Sequence, residues 1–130
     1  MPNSSWYGDL VGAQFDMHPD PEPGSLIVSN PAHPIVAGRE PPATWMDEWY
    51  NFTSHPSSNE NLNILLRGDT ETFKGGRHGD DHPLAWCQEF EGGRCFYVAL
   101  GHFDEAYGDE WFMGVVGRGV LWAARWDDGG

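Results

Sequence analysis

Four of the six histidines are followed directly by proline: His18, His33, His55 and His82. Proline fixes its own φ angle and biases the preceding residue toward extended backbone, so each pair can hold an imidazole in a fixed direction on a loop. A His-Pro pair can also simply end a strand or helix, with its ring bonded to nearby backbone. The chemistry of these rings therefore depends on where the fold places them.

His102 has a geometric reason to be a site residue. It follows the apolar run at residues 95–100, which is typical of a buried strand, with only Gly101 between them. In open α/β sheets, ligands bind beyond the carboxyl ends of the strands. Asp104 and Glu105 come next, and either could orient the ring or share a metal, or could begin the next helix.

Asp47 and Glu48 form a carboxylate pair beside the large rings of Trp49 and Tyr50. Sugars stack their C–H faces on such rings while acids bind their hydroxyls, and indole surroundings can tune a carboxyl group for acid or base work. The same combination recurs at Asp81, His82 and Trp86. The alternative for both segments is a core aromatic cluster with solvated acids.

The elements that must position these residues follow from hydrophobic spacing and turn signals. We predict helices over residues 5–15 and 109–126 and strands over 26–28, 61–66, 84–90 and 94–100. Leu62, Ile64 and Leu66 should share one face of their strand, whereas residues 95–100 are apolar on both faces, which predicts a central strand. Residues 29–44 and 68–81 read as irregular, and 47–52 is undecided between strand and loop. Glycines weaken the second helix, so we expect close packing on the sheet to stabilise it.

Cys87 and Cys95 flank the Glu91-Gly92-Gly93 turn, so a disulfide across the hairpin is one interpretation. A Gly92-Gly93 turn would place Cys95 opposite Phe90, and a three-residue turn would place it opposite Glu89. Neither register puts the two cysteines face to face. We therefore favour two reduced core thiols.

Composition indicates one folded domain. The 130 residues are 39% hydrophobic, with seven Trp and seven Phe, and carry 20 acidic against seven basic residues for a net charge of −13. This charge argues against nucleic acid and against an anionic membrane as partners. The sequence contains neither an apolar stretch of membrane-spanning length nor a signal-peptide pattern, which predicts a cytoplasmic protein.

Strong catalytic signatures are missing from the sequence. It contains no HExxH, paired CxxC, Walker loop or GxSxG motif, so zinc peptidase, zinc finger, nucleotide triphosphatase and α/β-hydrolase are not indicated. No cofactor is predicted. A divalent metal such as zinc or manganese could bind these imidazoles and carboxylates, although no ligand spacing demands it.

Six segments resemble the ThuA-like (trehalose utilisation) family in residue type, order and spacing. They are WYGDLVGA at residues 6–13, HPIVAG at 33–38, DEWYNF at 47–52, DHPLAWC at 81–87, GRCFY at 93–97 and ALGH at 99–102. The likeness extends to WAA at 122–124. Val98 and Phe103 depart from it, standing where the family tends to carry threonines, and Asp80 replaces a small residue.

The resemblance implies an α/β three-layer fold related to class I glutamine amidotransferases, with a flavodoxin-like parallel sheet and a role in disaccharide metabolism. It also implies that residues 1–130 form a single domain that is truncated at its N-terminus. The β-hairpin and C-terminal helix belong to the C-terminal portion of that fold. The βα units that build most of the sheet, with the turn that corresponds to the amidotransferase nucleophile, belong to the absent front half.

These observations predict a protein that binds or processes a disaccharide or an oxidised sugar. The predicted catalytic residues are Glu48, His82 and His102. The predicted substrate-binding residues are His18, Asp47, Trp49, Tyr50, Asp81 and Trp86. The alternative is a non-catalytic carbohydrate-binding or protein-interaction fragment, and the expected macromolecular partner is either a second copy, across an exposed sheet edge, or a separate N-terminal half.

Overall fold

Ten helices and strands make up the part of the chain that the structure, a computed structural model, describes: residues 5–125. They are α1 (Ser5–Val11), β1 (Phe15–Met17), β2 (Glu22–Gly24), β3 (Leu26–Val28), β4 (Trp45–Asp47), β5 (Asn51–Phe52), β6 (Asn63–Gly68), β7 (His82–Phe90), β8 (Gly93–Val98) and α2 (Glu110–Ala123). Short 3-10 helices occur at Pro56–Ser58 and Asp104–Gly108. No helix within these residues is long and apolar enough to span a membrane.

The main sheet has four strands in the order β3-β6-β7-β8, and every neighbouring pair is antiparallel. Two smaller antiparallel ladders join β1 to β5 and β2 to β4. The mixed α/β character, the β7–β8 hairpin and the C-terminal helix agree with expectation. Parallel pairing was expected from the resemblance, yet all strand pairs between residues 5 and 125 run antiparallel.

The central strand is β7, not β8 as predicted. Residues 82–88 of β7 are all buried, and the strand has partners on both sides. β8 lies at the end of the sheet with one partner, and most of it is half-buried. β8 is apolar on both faces for a different reason: the helices α1 and α2 both contact it. An edge strand covered by helices shows the same residue pattern as a central strand.

Helix α1 ends at Val11, four residues earlier than predicted. Gly12 follows with a φ of 100°, a conformation that favours glycine and commonly ends helices. Side chains of β7 bind the last carbonyls of the helix: Gln88 Nε2 donates to Asp9 and Leu10, each at 2.7 Å, and Trp86 Nε1 donates to Val11 at 2.6 Å. These bonds satisfy orphan acceptors that a short helix cannot satisfy itself.

The β7–β8 hairpin turns at Glu91-Gly92, which is neither of the two predicted turns, because Gly93 already pairs with Phe90. Both turn residues have positive φ, 50° and 84°, as in the type I′ turn that suits strand twist. This register places Cys95 opposite Gln88. Cys87 and Cys95 are both free, in agreement with the favoured interpretation.

Strand β6 does not alternate as predicted. Its register against β7 shifts between Ile64 and Leu66, so Leu65 is an extra, bulged residue. Leu65 and Leu66 are consequently both fully buried.

Helix α2 begins at the acidic residues Asp109 and Glu110, as predicted. Asp109 caps it by accepting a 2.7 Å hydrogen bond from the Phe112 amide, and the helix ends at Ala123. Trp126, the predicted last residue, lies outside the described part of the chain. The expected close packing on the sheet occurs at Gly119, where an added Cβ would lie only 2.3 Å from Phe96 Cδ2.

We expect Gly119→Ala to destabilise the protein by about 1 to 3 kcal/mol, because the new methyl group would displace the Phe96 ring of β8. Gly117→Ala is the matched control. No atom lies within 4 Å of its added Cβ, so the higher helix propensity of alanine should stabilise the protein by up to about 1 kcal/mol. Urea unfolding of both variants measures the difference. Equal stabilisation would contradict the packing of α2 on β8.

Candidate functional site

The site is built around the three residues that connect β4 to β5. Trp49 has a φ of 55°, a left-handed conformation that costs a non-glycine residue about 1 to 3 kcal/mol. Burial of the whole side chain offsets this cost: the ring stacks on Phe73 at 4.5 Å, and its N–H donates to the Glu22 carbonyl at 2.7 Å. The neighbours of Trp49 in the chain, Glu48 and Tyr50, supply the carboxylate and the phenol of the site.

Two imidazoles face the Glu48 carboxylate. His18 Nε2 lies 3.4 Å from Oε2, and His102 Nδ1 lies 3.2 Å from Oε1. The Glu48 side chain is only 9% exposed, whereas the side chains of His18 and His102 are 37% and 44% exposed. A nearly buried carboxylate is therefore flanked by two rings that solvent and ligands can reach.

The Pro19 carbonyl fixes which nitrogen of His18 faces the site. Nδ1 lies 2.8 Å from this carbonyl, which can only accept, so Nδ1 carries a hydrogen. Nε2 is left facing the Glu48 carboxylate at 3.4 Å. A proton delivered to either group would lie between the two.

Asp47 positions the site and does not face a ligand. It is 1% exposed, and its Oδ2 accepts from the Gly101 amide at 2.8 Å and from Trp45 Nε1 at 2.9 Å. Its Oδ1 accepts from the Glu48 amide at 2.9 Å. These bonds connect the segment that carries Glu48 to the segment that carries His102. Asp47 was predicted to bind substrate, but its oxygens are occupied by protein donors.

Tyr50 contributes both a proton donor and an aromatic face. Desolvation raises the pKa of its phenol, and the charge of Glu48 and the hydrogen bond to it act in the same direction. The phenol therefore stays protonated at neutral pH. The ring stacks on His18 with centroids 5.7 Å apart and contacts the exposed Phe15 ring at 4.5 Å.

The structure does not bring the segment at residues 81–86 to this carboxylate. His82 is fully buried, with Nε2 2.8 Å from the Tyr50 carbonyl, and Trp86 is buried against Tyr97 with ring centroids 4.7 Å apart. Asp81 is half-buried beside the neighbouring imidazoles. Trp49 is buried as well, so neither indole that was predicted as a sugar platform is accessible.

The other histidines have structural contacts. His55 caps a 3-10 helix, accepting from the Ser57 amide at 3.2 Å, and buried His78 accepts from the Phe52 amide at 3.0 Å. His33 Nε2 lies 3.5 Å from the Sγ of Cys87, and burial raises the pKa of this thiol to about 11. For His33 and His55, the structural interpretation of the His-Pro pair therefore matches the contacts.

Sequence reasoning missed two residues at the site. Phe15 was assigned to the first helix, where its ring had no relation to His18 or Tyr50. Tyr107, whose hydroxyl donates to the Gly101 carbonyl at 2.8 Å, was not singled out at all. The φ of 98° at Gly101, which a side chain rarely adopts, shows that the Gly-His pair needs glycine at this position. A Gly directly before a candidate histidine was the one available signal.

His18 and His102 face different oxygens of Glu48. Within residues 5–125, no group of three or more His, Cys, Asp or Glu side chains is disposed to hold a metal.

Comparisons with known proteins identify one family. The family model described as ThuA, trehalose utilisation, matches residues 1–123. A ThuA-like protein from Bacteroides uniformis has a similar solved structure, with a TM-score of 0.70 and 24% identity, covering 91% of this chain and 50% of that one. A second, from Parabacteroides merdae, has a TM-score of 0.50 and 21% identity, covering 88% and 48%. No protein of curated function matches. The chain spans about half the length of both solved structures.

Proposed function

The chain belongs to the ThuA (trehalose utilisation) family, and from this premise we propose that it binds a small sugar at Glu48 and transfers a proton of that sugar. One observation carries the proposal: a nearly buried carboxylate is faced by two accessible imidazoles, with the phenol of Tyr50 close enough for the carboxylate to raise its pKa. Carboxylate, imidazole and phenol groups in one cluster are the usual participants in general acid–base catalysis.

His102 is the proposed acid–base residue. Its Nδ1 faces Glu48, so Nε2 lies on the opposite side of the ring, where a bound sugar can reach it. The proton moves from the sugar to Nε2, and the resulting imidazolium is stabilised by the Glu48 carboxylate 3.2 Å away. His18 faces the other oxygen of Glu48 at 3.4 Å, and the exposed Phe15 ring with Tyr50 offers a face for sugar C–H groups.

A second candidate function is non-catalytic sugar or protein binding that needs another polypeptide. The observation in its favour is that the chain matches only about half the length of each similar solved structure. In this alternative, a separate N-terminal half would supply the parallel, flavodoxin-like part of the fold. That half would pack on the end of the sheet where β8 has only one partner.

Calorimetric titration with trehalose and glucose, followed by product analysis, tests the proposal. We expect saturable sugar binding that His18→Ala weakens by about tenfold, because an accessible hydrogen-bonding group beside Glu48 is lost. His33→Ala is the control, since His33 lies against Cys87, away from Glu48. Binding without turnover would favour the second candidate function, and no saturable binding would refute the proposal.

A further inference from the structure

A cleft of about 740 cubic ångströms shares no residue with the Glu48 site. Its lining comes from β3 and from the irregular segment that follows this strand, and it is mainly apolar: Leu26, Val28, Pro31, Val36, Pro41 and Pro42. The volume is within the range of small-molecule sites. Arg39 is the one cation that lines it in the described part of the chain, so we call it the Arg39 cleft.

The Arg39 side chain finds no acceptor among residues 5–125. Its Nε is buried without a hydrogen bond, and the guanidinium group has no ion-pair partner there. The guanidinium groups of Arg67, Arg94 and Arg118, in contrast, all donate to acceptors within the protein. A buried N–H without an acceptor is unfavourable, and an anionic ligand removes this cost. The side chain as a whole is half-buried, so a ligand in the cleft can reach its permanent charge.

Packing against α2 holds the Arg39 guanidinium group in place. A Cβ added to Gly114 would lie 2.5 Å from Arg39 Nη1 and 2.8 Å from Cζ, so this close approach requires glycine in the helix. The backbone before Arg39 is anchored to the same helix, because Arg118 Nη1 donates to the Ala37 carbonyl at 2.6 Å. The charge is therefore positioned before a ligand arrives, which lowers the entropic cost of binding.

The edge of the main sheet supplies further donors to the cleft. β3 is the end strand, and Ser29, directly after it, donates its amide to the Leu65 carbonyl of β6 at 2.8 Å. Successive residues of a strand present their backbone groups to opposite edges, so those of Leu26 and Val28 point away from β6. Both residues line the cleft, where their amides are able to donate to an anion.

The charges around the cleft favour a ligand with a single negative charge. Exposed Glu40 also lines the cleft, and the chain has a net charge of −13. One guanidinium group balances one carboxylate, which it binds through two parallel hydrogen bonds. The second charge of a phosphate group would stay unbalanced beside Glu40. The apolar walls require that the rest of the ligand be apolar as well, because polar groups placed there would lose their hydrogen bonds to water.

We propose that the Arg39 cleft binds a small carboxylic acid with an apolar body. The carboxylate pairs with Arg39, and the hydrocarbon part packs on Val28, Val36 and Pro41. The inference is independent of the proposed function, because the cleft and the Glu48 site have no residue in common. A free acid and the C-terminal residue of a peptide both present this chemistry, and the experiment distinguishes the two sources.

NMR titration with hexanoate, hexanamide and inorganic phosphate tests the inference. We expect saturable binding of hexanoate, at least tenfold tighter than that of the amide or of phosphate, since only hexanoate combines one carboxylate with an apolar chain. Acetyl-valyl-leucine provides the second arm: tighter binding than hexanoate identifies a peptide C-terminus as the source, and weaker binding identifies a free acid. The inference is overturned if neither acid binds saturably, or if the amide or phosphate binds as well as hexanoate.

Two pairs of variants locate the binding. Arg39→Gln should weaken hexanoate binding by at least tenfold, whereas Arg77→Gln should not change it, because Arg77 is exposed and does not line the cleft. Gly114→Ala keeps Arg39 but displaces its guanidinium group, so we expect about fivefold weaker binding. Gly117→Ala is the matched control on the same helix, since no atom lies within 4 Å of its added Cβ. Equal affinities within each pair would refute the site, whatever the sugar titrations show.

Discussion

Glu48→Gln is expected to lower kcat/KM for the sugar substrate by about 10²- to 10⁴-fold, the range typical for loss of one acid–base group. The amide keeps the shape of the side chain, but it removes the charge that stabilises a protonated His102. His102→Ala should cause a similar loss. The double variant should be little worse than either single variant, because the two groups act as one unit.

Thermal unfolding distinguishes this chemical effect from misfolding. The melting temperature of both variants should stay within a few degrees of the wild type, since His102 is 44% exposed and glutamine fits the space of Glu48. Glu89→Gln is the matched control, because Glu89 is exposed and its ion-pair partner is Arg125. It should leave turnover unchanged. A large fall in melting temperature for His102→Ala would mark His102 as a structural residue and contradict the assignment.

Acidification is expected to destabilise the protein strongly through His82. Burial opposes the charged imidazolium and lowers the pKa of His82 from 6.5 to about 4. The unfolded chain binds this proton near pH 6.5, whereas the native state binds it only near pH 4. Stability is therefore complete above pH 6.5 and falls as the pH drops toward 4, by about 3 kcal/mol in total. Desolvation also lowers the pKa of His78, which adds to the loss.

Urea unfolding between pH 7.5 and pH 5 measures this effect, before most carboxylates titrate. His82→Leu should be less stable at pH 7.5, because the Tyr50 carbonyl loses its donor, but its stability should change much less with pH. His55→Ala is the control. Burial, and not the half-buried His55, is the main cause of the lowered pKa of His82, so the steep pH dependence should persist. An unchanged slope in His82→Leu would refute the assignment to His82.

The parts of the fold that depend on residues adjacent in the sequence were predictable. The strand at residues 26–28, the buried strand that follows Pro83 and the start of α2 at Asp109 all follow from local propensity and capping. The hairpin was predicted, but its two-residue turn at Glu91-Gly92 was not, since Glu91 was not expected to adopt a positive φ beside Gly92. The bulge at Leu65 had no signal, because it arises from pairing with β7.

The residue types of the candidate site were predictable from the sequence, but which of these residues lie together in the fold was only partly predictable. Glu48, His18 and His102 come from distant segments, and the structure brings them within hydrogen-bonding or ion-pair distance. His82 and Trp86 have the same local character but lie inside the protein. Both stand in β7, which is buried on both faces because it is central in the sheet. A His or Trp next to acids looks alike in sequence whether it faces a ligand or the core.

The amino-acid order alone determined the family, the free thiols and the short-range elements, because motifs, turn residues and caps act over a few positions. Only the tertiary structure decided which carboxylate meets which imidazoles, that Asp47 supports the site from within, and that β8 is an edge strand covered by two helices. The physical reason is that burial and long-range pairing are properties of the packed chain. A shift of one residue in the pairing of a strand moves each of its side chains to the opposite face of the sheet.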